Sequence, residues 1–242
     1  MYDHLNRPED IDKLHAQLGL DREMLLVLYT QHTVRNATRT YYRVKGIAPR
    51  LLWEWQRGTS LAALADRINF PPILAGLLLM LENKVPRKQF WHWVADPRTC
   101  PTRRLQREIQ EICEKDMIYS PKGMDVQRER GKRGEQRLHE WLDKRNIKYT
   151  AEPELRGKYA KTPDALLSRP LLVDEDYIWW IESKASFGDD IEFRRNYKRQ
   201  LAPYTEMFGR GMVVYWFGYL DIIVPPDDVV LVSNTFFEDG HT

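Results

Sequence analysis

Lys161-Thr162-Pro163-Asp164 and Trp180-Ile181-Glu182-Ser183-Lys184-Ala185-Ser186 are the stretches from which the fold is read. Ile178 to Ile181 form an apolar run of the kind a central strand presents, and Glu182 and Lys184 follow at once. Strand side chains alternate between faces, so Glu182 and Lys184 point one way, Ile181 and Ser183 the other. Charges at the end of such a run are costly unless they are paired or hold a metal. An isolated Glu-x-Lys is most simply an ion pair on a sheet. Here Asp164, at the start of the adjoining strand, is expected to bring a second carboxylate toward Glu182. Two carboxylates beside the Ser183 backbone carbonyl suit a hard cation, Mg2+ or Mn2+, which would relieve their mutual repulsion. Such a metal polarises a phosphodiester and activates water, with Lys184 orienting that water or stabilising charge on the phosphate.

The flanking sequence supplies the rest of a domain from about residue 126 to 242. A helix from Val126 to about Asn146 places Leu138, Trp141 and Leu142 on one face and presents Glu135, expected to complete the metal shell or hold a bound water. Extended segments are expected at Lys148 to Ala151, Ala165 to Val173 and Tyr177 to Ala185, with Asp174-Glu175-Asp176 as a turn. A helix from about Asp190 to Phe208, closed by Gly209, carries Gln200 and Tyr204 four residues apart on one face. Strands at Met212 to Tyr219 and Asp228 to Ser233 follow. The order describes a mixed sheet flanked by helices.

Residues 1 to 125 read as an all-α domain. Leu14, Leu18, Leu25, Leu26 and Leu28 supply apolar positions, and Gly19 breaks the first helix. Pro49 is expected to begin a helix through Trp55, Gly58 to end it, and Ser60 to cap a helix from Leu61 to Arg67. A turn at Ile68-Asn69-Phe70 and a helix opened by Pro71-Pro72 complete a helix-turn-helix outline near residues 48 to 82. Its second helix, Ile73 to Leu81, has almost no polar side chains to read base edges. A helical core or a partner-docking element is therefore the stronger reading than a sequence-specific DNA reader. Pro86, Pro97, Pro101 and Pro121 divide residues 83 to 125 into short pieces around a helix from Thr102 to Lys115, which reads as a connection between domains.

Hydrophobic, aromatic and charged residues make up 43%, 12% and 30% of the chain, the balance of a soluble globular protein. No apolar run is long enough for a membrane span, and the acidic N-terminus suits neither a secretory signal nor a transit peptide. An intracellular protein without a membrane partner is expected, cytoplasmic in a prokaryote and nuclear or cytoplasmic in a eukaryote. Cys100 and Cys113 lack ligand-like neighbours and read as reduced thiols. The net charge of +2 does not by itself indicate a nucleic-acid partner. Local clusters do more: Arg35, Arg39, Arg43, Lys45 and Arg50; Arg128, Arg130, Lys132, Arg133 and Arg137; Arg194, Arg195, Lys198 and Arg199. Each reads equally as a solvated helix face. As a nucleic-acid surface the expected contacts are Arg128, Lys132, Arg133, Arg194, Arg195, Lys198 and Arg199. Tyr41, Tyr42, Trp53 and Trp55 have the chemistry to stack on bases, but aromatics at helical spacing are more often core.

Asp164, Glu182, Ser183 and Lys184, with Pro163 before them and Glu135 upstream, resemble the signature of the PD-(D/E)xK nucleases. Gln200 and Tyr204 resemble the Gln-x-x-x-Tyr motif of that superfamily's RecB-like branch. The longer strings Lys161 to Asp164, Trp180 to Asp189 and Val214 to Gly218 resemble the TPD-motif family, with weaker likeness upstream at Tyr41-Tyr42 and Ala48-Pro49. The resemblance implies an α/β, restriction-endonuclease-like fold, a divalent metal and a DNA substrate related to those of junction-resolving enzymes. With it, Glu135, Asp164, Glu182, Lys184, Gln200 and Tyr204 are expected to be catalytic. Glu135, Asp164, Glu182 and the Ser183 carbonyl are expected to bind metal. The expectation is a metal-dependent DNA nuclease, with RNA left open as a substrate, a homodimer as one assembly, and a protein partner received by the N-terminal helical domain. The alternative is a non-catalytic nucleic-acid-binding or protein-binding adaptor on a nuclease fold.

Overall fold

A computed structural model describes residues 4–238. The chain divides into two compact units, Met1–Arg128 and Glu129–Thr242.

The first unit is helical. α1, Glu9–Leu18, ends on Gly19, whose φ of 65° lies in the left-handed region that closes helices. The Asp21 carboxylate accepts from the Met24 N–H and caps α2, Arg22–Gln56, a single helix of 35 residues. The expected helix start at Pro49 is corrected here, because Pro49 lies inside α2. Lys45 and Pro49 are both on the exposed side of the helix, so water can satisfy the Lys45 carbonyl that a proline leaves without a donor. Ser60 caps α3, Leu61–Ile68, through the Ala63 N–H. Asn69, at φ 48°, turns the chain into α4, Pro72–Glu82, at 112° to α3.

α4 is the core of this unit: seven consecutive-to-near positions from Ile73 to Met80 are buried. Ile73, Leu77, Leu79 and Met80 pack with Leu51, Leu61, Leu64, Phe90, Leu105, Ile109 and Ile112, and Ala75 and Leu78 pack with Ala37, Val44 and Phe70. A helix apolar on every side belongs inside a protein rather than in a DNA groove. The segment read as a connection also joins this core. α5, Arg87–Ala95, and α6, Arg103–Lys115, bury Phe90, Trp93, Ile109 and Ile112 against it. Asp116 fixes the junction, its carboxylate accepting from the backbone N–H groups of Ile73, Ile118 and Tyr119 at 2.8–3.0 Å. Ser120 then accepts from the Gly123 N–H at the start of α7, Pro121–Lys144, within which the division between the units falls. Among the described residues no single helix is long and apolar enough to cross a membrane.

The second unit is a five-stranded mixed sheet flanked by helices. It comprises β1, Tyr149–Ala151; a short α8, Glu152–Leu155; β2, Ala165–Val173; β3, Asp176–Lys184; α9, Asp190–Asn196; α10, Ala202–Phe208; β4, Gly211–Tyr215; and β5, Val229–Ser233. The spatial order is β1-β2-β3-β4-β5, antiparallel through β3 and parallel from β3 to β5. The β2–β3 register shifts between Leu166 and Leu171, where Pro170 cannot donate to a ladder. One face packs Leu138, Trp141 and Leu142 of α7 on Ile181, Met212 and Val214. The other packs Phe193 of α9 and Tyr204 of α10 on Trp180, Val213 and Tyr215.

β3 and β4 approach closely through Trp180, fully buried and opposite Gly211, with its indole N–H donating to the Gly209 carbonyl at 2.8 Å. A Cβ on Gly211 would stand 2.0 Å from the indole ring. Gly211→Ala is therefore expected to cost about 3 kcal/mol through overpacking. Urea unfolding of the two proteins at equal m-value measures that loss.

Candidate active site

The site begins where β3 leaves the apolar core. Glu182 is 3% exposed and shares its face of the sheet with Trp180 and Lys184. The Lys184 ammonium donates to Glu182 Oε1 at 2.6 Å and to Gln200 Oε1 at 2.7 Å. Alternation on β3 thus yields the pair, and the crossover after β3 brings Gln200 to it. Gln200 does not stand on a regular α-helix. Tyr197–Leu201 form a π turn in which the Ala202 N–H reaches back to the Tyr197 carbonyl. Pro203 is the physical reason, since it has no N–H for Arg199 and its ring crowds a carbonyl four residues back.

Asp164 enters from the loop before β2. Its Oδ2 accepts from the Ser183 N–H at 2.7 Å, which ties the loop to β3 one residue from Glu182. The Tyr204 hydroxyl donates to the Thr162 carbonyl at 2.8 Å, and its ring packs edge-on to Trp180 with centroids 5.2 Å apart. The structure therefore brings Asp164, Glu182, Lys184, Gln200 and Tyr204 together. Glu135 is exposed on α7 and stands outside this hydrogen-bonded group. Its charge still contributes to raising the Asp164 pKa.

The electrostatics are those of two crowded acids. Asp164 keeps some exposure as a residue, yet loss of hydration is the largest cause raising its carboxyl well above the usual range, followed by the Glu182 charge. The Ser183 N–H and Lys184 pull it back down. Burial also raises Glu182, opposed chiefly by Lys184. Burial and then the charges of Glu182 and Asp164 push the Tyr204 phenol upward, so it stays a hydrogen-bond donor at neutral pH. The Asp164 peptide and the Tyr204 hydroxyl both face the Glu182 carboxylate. Even so, Glu182 Oε2 is buried with no hydrogen bond of regular geometry. A buried carboxylate oxygen without a hydrogen bond of regular geometry, beside a second carboxylate, fits a divalent cation. Among the described residues no three His, Cys, Asp or Glu side chains gather closely enough to cage a metal.

The contacts of His139, of the Ser183 side chain and of Gly134 lay outside the expectations from sequence. His139 Nε2 lies 3.3 Å from the Asp164 carbonyl, and its ring stacks on Tyr149 at 5.0 Å. Ser183 contributes its side chain as well as its backbone: its hydroxyl accepts from the Trp216 indole N–H at 2.7 Å. A Cβ on Gly134 would lie 2.5 Å from that indole nitrogen and 3.0 Å from Ser183 Oγ, so a glycine is what lets α7 lie against this bond. A histidine in a long polar helix and a glycine within it carry no local signal of these contacts. Of the basic residues, Arg128 pairs with Asp125, Lys132 with Glu129, Arg194 with Asp190 and Arg195 with Glu192. Arg133, Lys198 and Arg199 are exposed.

A family model described as "Protein of unknown function TPD sequence-motif" matches residues 101–236, more than half of the chain and all five converging residues. The chain belongs to the TPD-motif family. This TPD protein is 34% identical to "CDAN1-interacting nuclease 1" of Danio rerio, over 66% of this chain and 56% of that relative. It is 30% identical to the proteins of the same name from Homo sapiens and Mus musculus, over 79% of this chain and 70% of theirs. The chain thus spans little more than half the length of the zebrafish relative. Relatives named as nucleases place a nuclease-like role at the level of the family. No solved structure matches this TPD protein.

The acids also set a stability signature. Carboxyls whose folded pKa values exceed their unfolded ones favour the folded state below the unfolded values, and that contribution is lost as pH rises through the folded values. Asp164→Asn keeps an acceptor for the Ser183 N–H and removes one buried charge. In EDTA it is expected to stabilise the protein by about 1–2 kcal/mol at pH 8, with the gain vanishing near pH 4. Denaturant unfolding at the two pH values measures the difference.

Proposed function

We propose that the protein is a divalent-metal-dependent nuclease that hydrolyses phosphodiester bonds in DNA on a restriction-endonuclease-like fold. The observation that carries the reading is the convergence of Asp164 and Glu182, the latter with a buried oxygen that has no hydrogen bond of regular geometry, beside Lys184 held by Gln200. Asp164, Glu182 and the Ser183 carbonyl are the groups assigned to the metal, with exposed Glu135 assigned to its water shell. When bound, Mg2+ or Mn2+ supplies Lewis acidity toward the phosphate and lowers the pKa of an attacking water.

The protein groups have separate tasks. Lys184 uses two of its three N–H donors on Glu182 and Gln200. The third is assigned to a phosphate oxygen, where a fixed positive charge stabilises the charge that grows as water adds to phosphorus. Gln200, set by the π turn, holds the ammonium in that direction. Tyr204, kept protonated, braces the Thr162-Pro163-Asp164 loop through the Thr162 carbonyl. Exposed Lys198 and Arg199 are assigned to attract the backbone of the polymer. In this reading the helix-turn-helix-like α3–α4 pair is a core element and not a base reader. The name of the relatives adds a protein partner, CDAN1, and binding of such a partner by this chain is part of the proposal.

Purified protein with Mg2+ or Mn2+ is expected to cleave at least one of a panel of linear, flap, junction and single-stranded DNA and matching RNA. Lys184→Ala should lower the rate about 100-fold or more. Asp164→Asn and Glu182→Gln should do the same and abolish metal binding by calorimetry. Full activity in Lys184→Ala would overturn the assignment, and cleavage of RNA alone would overturn the substrate. Metal binding indifferent to both acids would favour a non-catalytic adaptor.

A further inference from the structure

The exposed face of α2 carries a pattern that the catalytic reading does not use. From Met24 to Trp53 the helix has no Asp or Glu, while it carries Arg35, Arg39, Arg43, Lys45 and Arg50. At about 100° per residue, Arg39, Tyr42, Arg43, Gly46, Arg50, Trp53 and the C-cap Arg57 fall within an arc of about 100°. The opposite arc holds Ala37, Val44, Ala48 and Leu51, all buried. The stripe is thus fixed to one side by the core.

Two properties separate this stripe from a solvated helix face. Tyr42 is 80% exposed and Trp53 56% exposed, large aromatic surfaces that solubility does not require. The Arg57 guanidinium lies over the Trp53 ring at 4.6 Å, and nothing stands within 4 Å of a Cβ built on Gly46 between the two aromatics. The charge is also largely uncompensated. Arg50 pairs with Glu54, but Arg39 bonds only to the neutral Asn36 side chain, and Arg43 enters no ion pair among the described residues.

We infer that this stripe is a binding surface for single-stranded nucleic acid, with Tyr42 and Trp53 stacking on bases and Arg39, Arg43 and Arg57 contacting phosphates. Charge complementarity selects a polyanion. Exposed aromatic faces select unpaired bases, since a duplex keeps its bases stacked on one another. From Arg39 to Arg57 the stripe runs about 27 Å, the length of about eight stacked nucleotides. The surface goes beyond the cleavage reading and stands or falls separately from it, because it requires neither metal nor Lys184.

The test is fluorescence anisotropy of the whole protein with fluorescein-labelled dT12 in EDTA, alongside a 12-base-pair duplex. Arg39→Ala/Arg43→Ala is expected to weaken dT12 binding about tenfold and to flatten the log Kd against log salt slope by about 1.4, two phosphate contacts at 0.7 each. Tyr42→Ala/Trp53→Ala is expected to weaken dT12 about thirtyfold or more while changing duplex binding less than twofold. All changes lie on the surface, and melting temperatures equal to that of the unmodified protein verify folding. If both double variants bind dT12 within twofold of the unmodified protein, the inference is overturned and the stripe is left to a protein partner. Retained dT12 binding by Lys184→Ala separates this result from any failure of the cleavage assignment.

Discussion

The buried contact between Glu182 and Lys184 is the constraint on which the second unit is built. β3 spends Ile178, Trp180 and Ile181 on the two cores and then delivers two charges into the same low-dielectric setting. Breaking one partner of such a pair typically costs 3–5 kcal/mol, whereas an apolar replacement of both is often neutral or stabilising. Stability alone therefore gives no reason to keep it. The pair is held in place instead by everything around it: Gln200 on Lys184, the Ser183 N–H on Asp164, and the Tyr204 hydroxyl on the loop that carries Asp164.

That arrangement leaves one deficit. Lys184 neutralises Glu182 Oε1, but Oε2 stays buried with no hydrogen bond of regular geometry, and the Glu182 charge opposes ionisation of Asp164. A folded protein tolerates such a deficit where a ligand removes it. The π turn belongs to the same logic, since regular helix up to Pro203 would meet a missing donor and a steric clash. Widening the turn resolves both and presents Gln200 to Lys184.

Much of this was legible in the residues. Alternation on β3 is enough to place Glu182 beside Lys184, and the Gln200/Tyr204 spacing points both toward one face, although a π turn rather than plain α geometry sets Gln200. What escaped were features decided by tertiary context. Pro49 carries a helix-start signal that burial of Val44, Ala48 and Leu51 overrides within a 35-residue helix. The prolines between 83 and 125 punctuate short helices, but only packing shows that Phe90, Trp93 and Ile109 complete the core around α4. Ser183 reads as a backbone ligand because its side chain points away from the acids. Its role toward Trp216 depends on β4, more than 30 residues further on.

The Ser183 peptide links the two faces of the sheet. Its N–H binds Asp164 beside the acids, while its hydroxyl accepts from Trp216 beneath α7, where Gly134 permits the close approach. Trp216 is itself held between Arg137, 4.6 Å over its ring, and Phe237, with centroids 4.8 Å apart. Asp164 is thus positioned by two anchors of different kinds: the phenol of Tyr204 acting on the loop from the α10 side, and the aromatic packing of Trp216 acting through Ser183 from the α7 side. Both anchors act on Asp164 through its neighbours, one on the Thr162 carbonyl and one on Ser183.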